Sequence, residues 1–235
     1  MIKNNFKGKF VVVDGTDGSG KATQVRLLVE HLRKKGRLVK TIDFPQYYNN
    51  FFGKFVGECL AGKHGDFLKS DPYVASVLYA ADRLESSTQI TEWLKQGNIV
   101  IADRYASSNQ IHQGGKIKDE KERKNFLEWL EIMEFQVFKI PKPDAIIYLD
   151  VPFETTQKLI GERAKRNQVK KRYLNGGKDA HENSPLHLAD AKASATDLVR
   201  RYNNWIRIDC TQDGKLMSKS EIHNIIWNIF LNKII

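Results

Sequence analysis

Cysteine is scarce: the chain carries only Cys59 and Cys210. Two residues so far apart exclude a disulfide framework and a paired-thiolate metal site, leaving both as small buried hydrophobes. Long apolar runs are missing too, and none approaches the roughly 18 residues a membrane span needs. The opening MIKNNFKGKF lacks the apolar segment of a signal peptide and runs straight into a strand pattern. A cytoplasmic protein with no membrane partner is expected. Internal repeats, low-complexity tracts and interdomain linkers are also absent, so the 235 residues read as one domain, 1–235.

Charge is plentiful and unbalanced, with 38 Lys and Arg against 28 Asp and Glu. A net +10 suits nucleic acid or small phosphorylated substrates alike. Its distribution is more telling. Seven basic residues (Arg163, Lys165, Arg166, Lys170, Lys171, Arg172 and Lys178) share the stretch from Glu162 to Lys178 with one acid. No aromatic-interleaved nucleic-acid motif accompanies them, and no nucleic-acid partner is expected.

The apolar pattern alternates between short runs and helical stripes. Phe10–Val13, Val39–Phe44, NIVIAD (98–103) and DAIIYLD (144–150) read as buried strands, the first running into Asp14 and the last two closing on Asp103 and Asp150. Between them, Val25, Leu28, Val29 and Leu32 recur at helical spacing with Gly36 as the stop. Val74, Val77, Leu78, Ala81 and Leu84 mark a long helix opening near Pro72, and Phe126, Leu130, Met133 and Val137 mark another. Ser218 and Glu221 form a capping-box pattern ahead of the last helix. Strands alternating with helices predict an α/β fold of three α/β/α layers around a parallel sheet of about five strands. Ligands of such sheets bind at the C-terminal strand edges, which here are Asp14–Lys21, Asp103–Gln113 and Asp150.

GTDGSGKA (15–22) fits G-x-x-x-x-G-K between a strand and a helix. Its glycines let backbone N–H groups face phosphate oxygens, the helix adds its positive end, and Lys21 supplies a point charge. The expected nucleotide-phosphate-binding set is Gly15, Thr16, Asp17, Gly18, Ser19, Gly20, Lys21, Ala22 and Thr23. A glycine-rich turn with an exposed lysine is the plain alternative. Ala22 stands where a hydroxyl normally holds magnesium, and Thr23, rotated by roughly 100° along the helix, cannot replace it. Magnesium would lean on water, nucleotide phosphates and a carboxylate elsewhere, with Asp103 the leading candidate.

DRYASSNQIHQGGK (103–116) puts a strand-end acid beside an arginine able to grip a phosphate in two places. Here the sequence resembles the thymidylate kinase family of P-loop nucleoside monophosphate kinases. Asp103, Arg104, Tyr105, Ser108 and Gln113 match the pattern D-R-[YH]-x-x-S-x-x-A-Y-Q. The resemblance extends over most of the chain through DFPQYY (43–48), VLYAADRLESS (77–87), YLDVPFETTQKLIGER (148–163) and KDAHE (178–182).

The resemblance implies an ATP-dependent phosphotransferase making dTDP and ADP from dTMP. Arg104 would hold the acceptor phosphate, and Asp17 would approach its 3′-hydroxyl. Phe44 would stack on the base with Pro45 fixing its loop. Arg83 would bond the thymine carbonyl, with Ser108 and Asn109 near the thymine edge. His112 replaces a family tyrosine that crowds the sugar 2′ position. The basic stretch implies a mobile lid at about 162–182, from which Arg163, Arg166 or Arg172 would act catalytically beside Lys21, Arg104 and Asp103. Asp179 and Glu182 match the acids after the lid. The family also implies a homodimer, for which the helix from Pro72 could supply the interface.

Two other readings compete. His112 favours a related kinase for another pyrimidine nucleotide or a deoxynucleoside, whereas Ala22 and the +10 charge favour nucleotide binding without turnover.

Overall fold

The computed structural model describes residues 6–166 and 185–234. Five parallel strands, β1 (Lys9–Asp14), β2 (Val39–Asp43), β3 (Ile99–Asp103), β4 (Ala145–Asp150) and β5 (Trp205–Asp209), form a sheet in the order β2-β3-β1-β4-β5. Successive residues of β1 alternate between faces, as the two-residue period of a strand requires. Phe10 and Val12 join one hydrophobic cluster and Val11 and Val13 the other. Both faces are therefore dry, which explains the nearly continuous apolar runs.

Helices cover each face. The helices are α1 (Lys21–Lys34), α2 (Phe51–Leu60), α3 (Pro72–Lys95), α4 (Ala106–Lys116), α5 (Glu120–Ile132), α6 (Phe153–Arg166), α7 (Pro185–Arg201) and α8 (Lys219–Lys233). Leu28 and Leu32 of α1 pack with Ile226 and Phe230 of α8 on one face. On the other, Ile111 of α4, Phe126 of α5 and Leu198 of α7 pack on Val100 and Ile146. These are the three expected layers.

Local chemistry sets the helix ends. Gly36 adopts φ 73, its N–H bonding Arg33 O while Arg37 N–H bonds Leu32 O, so α1 stops there. Asp71 caps α3 by accepting from the Tyr73 and Val74 amides, with Pro72 in the first turn. Ser218 and Glu221 form the reciprocal capping box of α8.

Two apolar stripes face differently from a simple core reading. Val74, Val77 and Leu84 of α3 are exposed, while Ala75, Ser76, Asp82, Arg83 and Ser86 make up much of its buried face. That face is polar because it backs the strand-end crevice. After α5 a π-turn at Met133–Val137 closes with Phe138 N–H to Met133 O. Its extra residue breaks the 3.6-residue period, so Met133 is buried while Val137 is 65% exposed. A small hairpin, β6 (Thr211–Gln212) and β7 (Lys215–Leu216), turns through Asp213 and Gly214, both at positive φ.

Candidate active site

The loop after β1 is built on three glycines with positive φ, Gly15 (155°), Gly18 (81°) and Gly20 (88°). Gly18 also meets a steric limit: a Cβ there would lie 2.7 Å from Thr156 O and 2.9 Å from Ile160 Cγ1. Helix α6 thus closes on the loop where no side chain fits. Within the loop Thr16 and Ser19 are buried, and Ser19 Oγ has no hydrogen-bond partner among the described residues. Ala22 is exposed on the first turn of α1, and Thr23 beside it is half-buried.

Lys21 is buried at the loop's centre, where Nζ donates to Gly15 O at 2.9 Å and Thr16 O at 3.0 Å. Burial, with the Arg104 charge adding to it, lowers its pKa to about 8, against the pull of Asp17, Asp103 and Asp14. The amine ties the loop together through these carbonyls and is placed to exchange them for phosphate oxygens.

Parallel pairing of β1 with β3 sets Val13 beside Asp103, so the next motif arrives next to this loop. Arg104 adopts φ 69, a left-handed conformation costing a non-glycine residue about 1–2 kcal/mol. Its N–H bonds Val13 O at 3.1 Å, and its guanidinium pairs with Asp17. Nη1 donates to His112 Nε2 at 3.1 Å and reaches Ser108 Oγ at 3.4 Å. Burial disfavours the Arg104 charge, but Asp17, Asp14 and Asp103 more than offset it and raise its pKa. The sequence motif alone did not reveal this direct tie between Arg104 and the phosphate loop.

Asp14 is fully buried and accepts from Gly15 N–H at 2.8 Å, Ser107 Oγ at 2.6 Å and Ser108 Oγ at 2.9 Å. It therefore staples the start of α4 to the phosphate loop, a role its strand-end position hints at. Ser108 spends its hydroxyl on that carboxylate. Asp103 is partly exposed and makes no side-chain hydrogen bond or ion pair among the described residues. Burial raises its pKa, opposed by Lys21 and Arg104 and reinforced by Asp14 and Asp43. Asp150 lies at the same sheet edge, but its carboxylate is engaged by Lys192 at 3.2 Å and Arg207 at 2.6 Å, beside a groove of about 440 Å³.

Further back, Phe44 and Tyr105 rings sit 5.5 Å apart, with Phe44 leading into the cis Phe44–Pro45 bond. The Arg83 guanidinium lies 6.0 Å from the Tyr105 ring centroid. Neither neighbouring acid on α3 pairs with Arg83. Asp82 instead accepts from Gln46 N–H and Asn50 Nδ2, and Glu85 from the Phe51 and Phe52 amides. The partner is Glu134 of the π-turn, which accepts from Arg83 Nε at 2.8 Å and Nη2 at 2.5 Å. Both side chains are at most 3% exposed, and removing one partner of such a pair costs about 3–5 kcal/mol. Asn109 Nδ2 joins this cluster through Ser76 O and Glu134 Oε1. Nothing in sequence spacing pointed to Glu134, because the π-turn that aims it inward has no simple signature.

Of the arginines expected in the lid, Arg163 and Arg166 fall on α6, whereas Arg172, Asp179 and Glu182 lie outside the described residues. One crevice thus joins a phosphate loop, an arginine aimed across it, and a buried polar cluster behind two aromatic rings packed at a tilt.

A family model described as thymidylate kinase matches residues 13–219. The thymidylate kinase of Mycobacterium tuberculosis is 34% identical over 155 residues, covering 66% of this chain and 70% of that protein. A probable thymidylate kinase of Thermococcus onnurineus is 33% identical over 205 residues, covering 80% and 92%. The solved thymidylate kinase of Candida albicans shares the fold, with TM-score 0.71 over 95% of this chain and 91% of its own, at 23% identity. These likenesses do not favour nucleotide binding without turnover or a kinase for a different acceptor. The chain belongs to the thymidylate kinase family and is an ATP-dependent nucleoside monophosphate kinase acting on dTMP.

Proposed function

We propose that residues 1–235 work as one kinase unit in which the phosphate loop takes ATP and Arg104 takes the acceptor. The observation carrying this reading is the Arg104–Asp17 ion pair, which ties the acceptor-side arginine to the donor loop. Gly15–Thr23 cradle the ATP phosphates. Arg104 grips the 5′-phosphate of dTMP, Asp17 reaches its 3′-hydroxyl, and Phe44 with Pro45 forms the base platform. Arg83, Ser108, Asn109 and His112 complete the nucleoside pocket.

An oxygen of the dTMP phosphate attacks the γ-phosphorus as the bond to the β-phosphate oxygen breaks, giving dTDP and ADP for dTTP synthesis. The acceptor is already an anion at neutral pH, so transfer relies on positioning and charge stabilisation rather than on a general base. Lys21 meets the transferring group. A lid over about 162–182 would bring Arg163, Arg166 or Arg172 to it and exclude water. Magnesium-dependent ADP release on adding dTMP tests this reading; a chain that binds both nucleotides without turnover would contradict it.

The residues fit magnesium through one carboxylate. Asp103 is a hard oxygen donor at the strand end, engaged by no side-chain hydrogen bond or ion pair among the described residues, near the start of α1, where Ala22 brings no hydroxyl. When bound with ATP, the ion neutralises charge on the β- and γ-phosphates. Ala22→Ser should lower the magnesium concentration needed for half-maximal rate by about 3–10-fold, the worth of one modest oxygen contact. An unchanged requirement would place the metal elsewhere.

The exposed stripe of Val74, Val77 and Leu84 on α3 supports a homodimer. Among the described residues no helix is long and apolar enough to cross a membrane. We place the enzyme in the cytoplasm.

A further inference from the structure

We propose that Glu134 is a positioning residue for the choice of acceptor base. From the π-turn it fixes Arg83 and Asn109 so that a hydrogen-bond donor stands beside an acceptor, the complement of a 4-keto pyrimidine. The inference rests on the reading that Arg83 and Asn109 face the base of dTMP.

The cluster has little freedom. Glu134 Oε2 accepts from Arg83 Nε, while Oε1 accepts from Arg83 Nη2 and, at 3.3 Å, from Asn109 Nδ2. Asn109 Nδ2 also donates to Ser76 O at 3.1 Å. Turning the amide over would set its oxygen against a carboxylate and a carbonyl, so the Nδ2-inward orientation is fixed by its partners. Asn109 Oδ1 makes neither contact and is left as an acceptor. Arg83 Nη1 is likewise not used by Glu134 and is left as a donor. The guanidinium lies by the Tyr105 ring, and Phe44 packs beside that ring.

Thymine and uracil present the C4 carbonyl, an acceptor, next to the N3–H donor. That edge meets the donor of Arg83 and the acceptor of Asn109. Cytosine presents an amino donor next to an N3 acceptor, so it would set donor against donor and acceptor against acceptor. Such mismatches against buried, fixed polar groups are strongly rejected. Glu134 enforces the pattern without touching substrate, because among the described residues it alone engages both side chains and supplies the charge that keeps Arg83 in the buried pocket.

Glu134→Gln, close to isosteric, replaces one acceptor oxygen with a donor and frees Asn109 to turn. The test compares kcat and KM for dTMP, dCMP and ATP in the full-length enzyme and the variant, with thermal melting of each. The variant should raise KM for dTMP by about 10–100-fold, the loss of a hydrogen bond to a charged group. Its kcat for dTMP and its KM for ATP should stay within about threefold, and the dTMP to dCMP ratio of kcat/KM should fall by about tenfold or more. A ratio unchanged from wild type, or all parameters declining together with the folded fraction, would overturn the proposal. Glu134→Asp, which keeps the charge but shortens its reach, takes the same criterion if Glu134→Gln does not fold. Wild-type enzyme with no dTMP turnover would instead sink the kinase reading. dTMP turnover with an unmoved ratio in the variants would sink only the role of Glu134.

Discussion

Arg104→Ala is expected to lower kcat/KM for dTMP by about 10³-fold while ATP affinity stays within about threefold, as suits a group acting on transition-state charge at the acceptor. Arg104 is the cation among a set of acids. Asp17 pairs with it, Asp14 lies 3.8 Å away, and Asp103 precedes it in the chain. Without the guanidinium an incoming phosphate dianion would face three carboxylates with Lys21 as the cation left near them among the described residues. Attraction would turn to repulsion. Arg104→Lys should recover a minor part of the loss, since an ammonium restores charge but not the two-point grip. Calorimetric titration with ATP alongside steady-state kinetics separates the possibilities. Equal losses of ATP binding and transfer would mean that Arg104 acts by holding the Asp17 loop rather than the acceptor.

The second large effect falls on Lys21. Lys21→Met should reduce kcat by about 10²–10³-fold and weaken ATP by about tenfold, because the amine organises the phosphate loop and then meets the transferring phosphoryl group. Its pKa, lowered to about 8 by burial, adds a pH signature. Bound phosphates favour the charged amine, so above pH 8 ATP binding must take up a proton, and affinity should decline as pH rises. Titrations at pH 8.5 in two buffers of different ionisation enthalpy measure that proton directly. Lys21→Met should abolish it, and uptake that persists in the variant would assign the proton to another group. The sign for stability follows from the same shift. The unfolded amine keeps the higher pKa near 10.5, so burial of the charged amine costs stability below about pH 8. That cost is relieved as pH rises from about 8 to 10.5.

Much of this architecture is legible in local patterns. Phe10–Val13, NIVIAD and DAIIYLD are apolar on both faces because both sheet faces are covered, and they stand out from the sequence. β5 is less visible: Arg207 and Asp209 interrupt the apolar run of an edge strand whose Trp205 and Ile208 alone are buried. The outward face of α3 shows how an apolar stripe can mark a surface rather than a core, since the buried side of that helix holds Asp82 and Arg83. At the site, the phosphate loop and the Asp103–Arg104 pair are compact motifs whose chemistry follows from adjacent residues. Glu134 is different. Its role depends on a π-turn, a buried arginine 51 residues earlier and an asparagine 25 residues earlier, none of which any short window contains. Asp14 lies between these cases, visible as a strand-end acid but assigned to its staple only by Ser107 and Ser108.

The most direct measurement is coupled ADP release with ATP and magnesium across dTMP, dUMP, UMP, dCMP and thymidine. dTMP is expected to be the acceptor of highest kcat/KM, with thymidine inactive because it offers Arg104 no phosphate and dCMP poor because it mismatches Arg83 and Asn109. Preferred phosphorylation of thymidine or dCMP, with dTMP left unreacted, would contradict it.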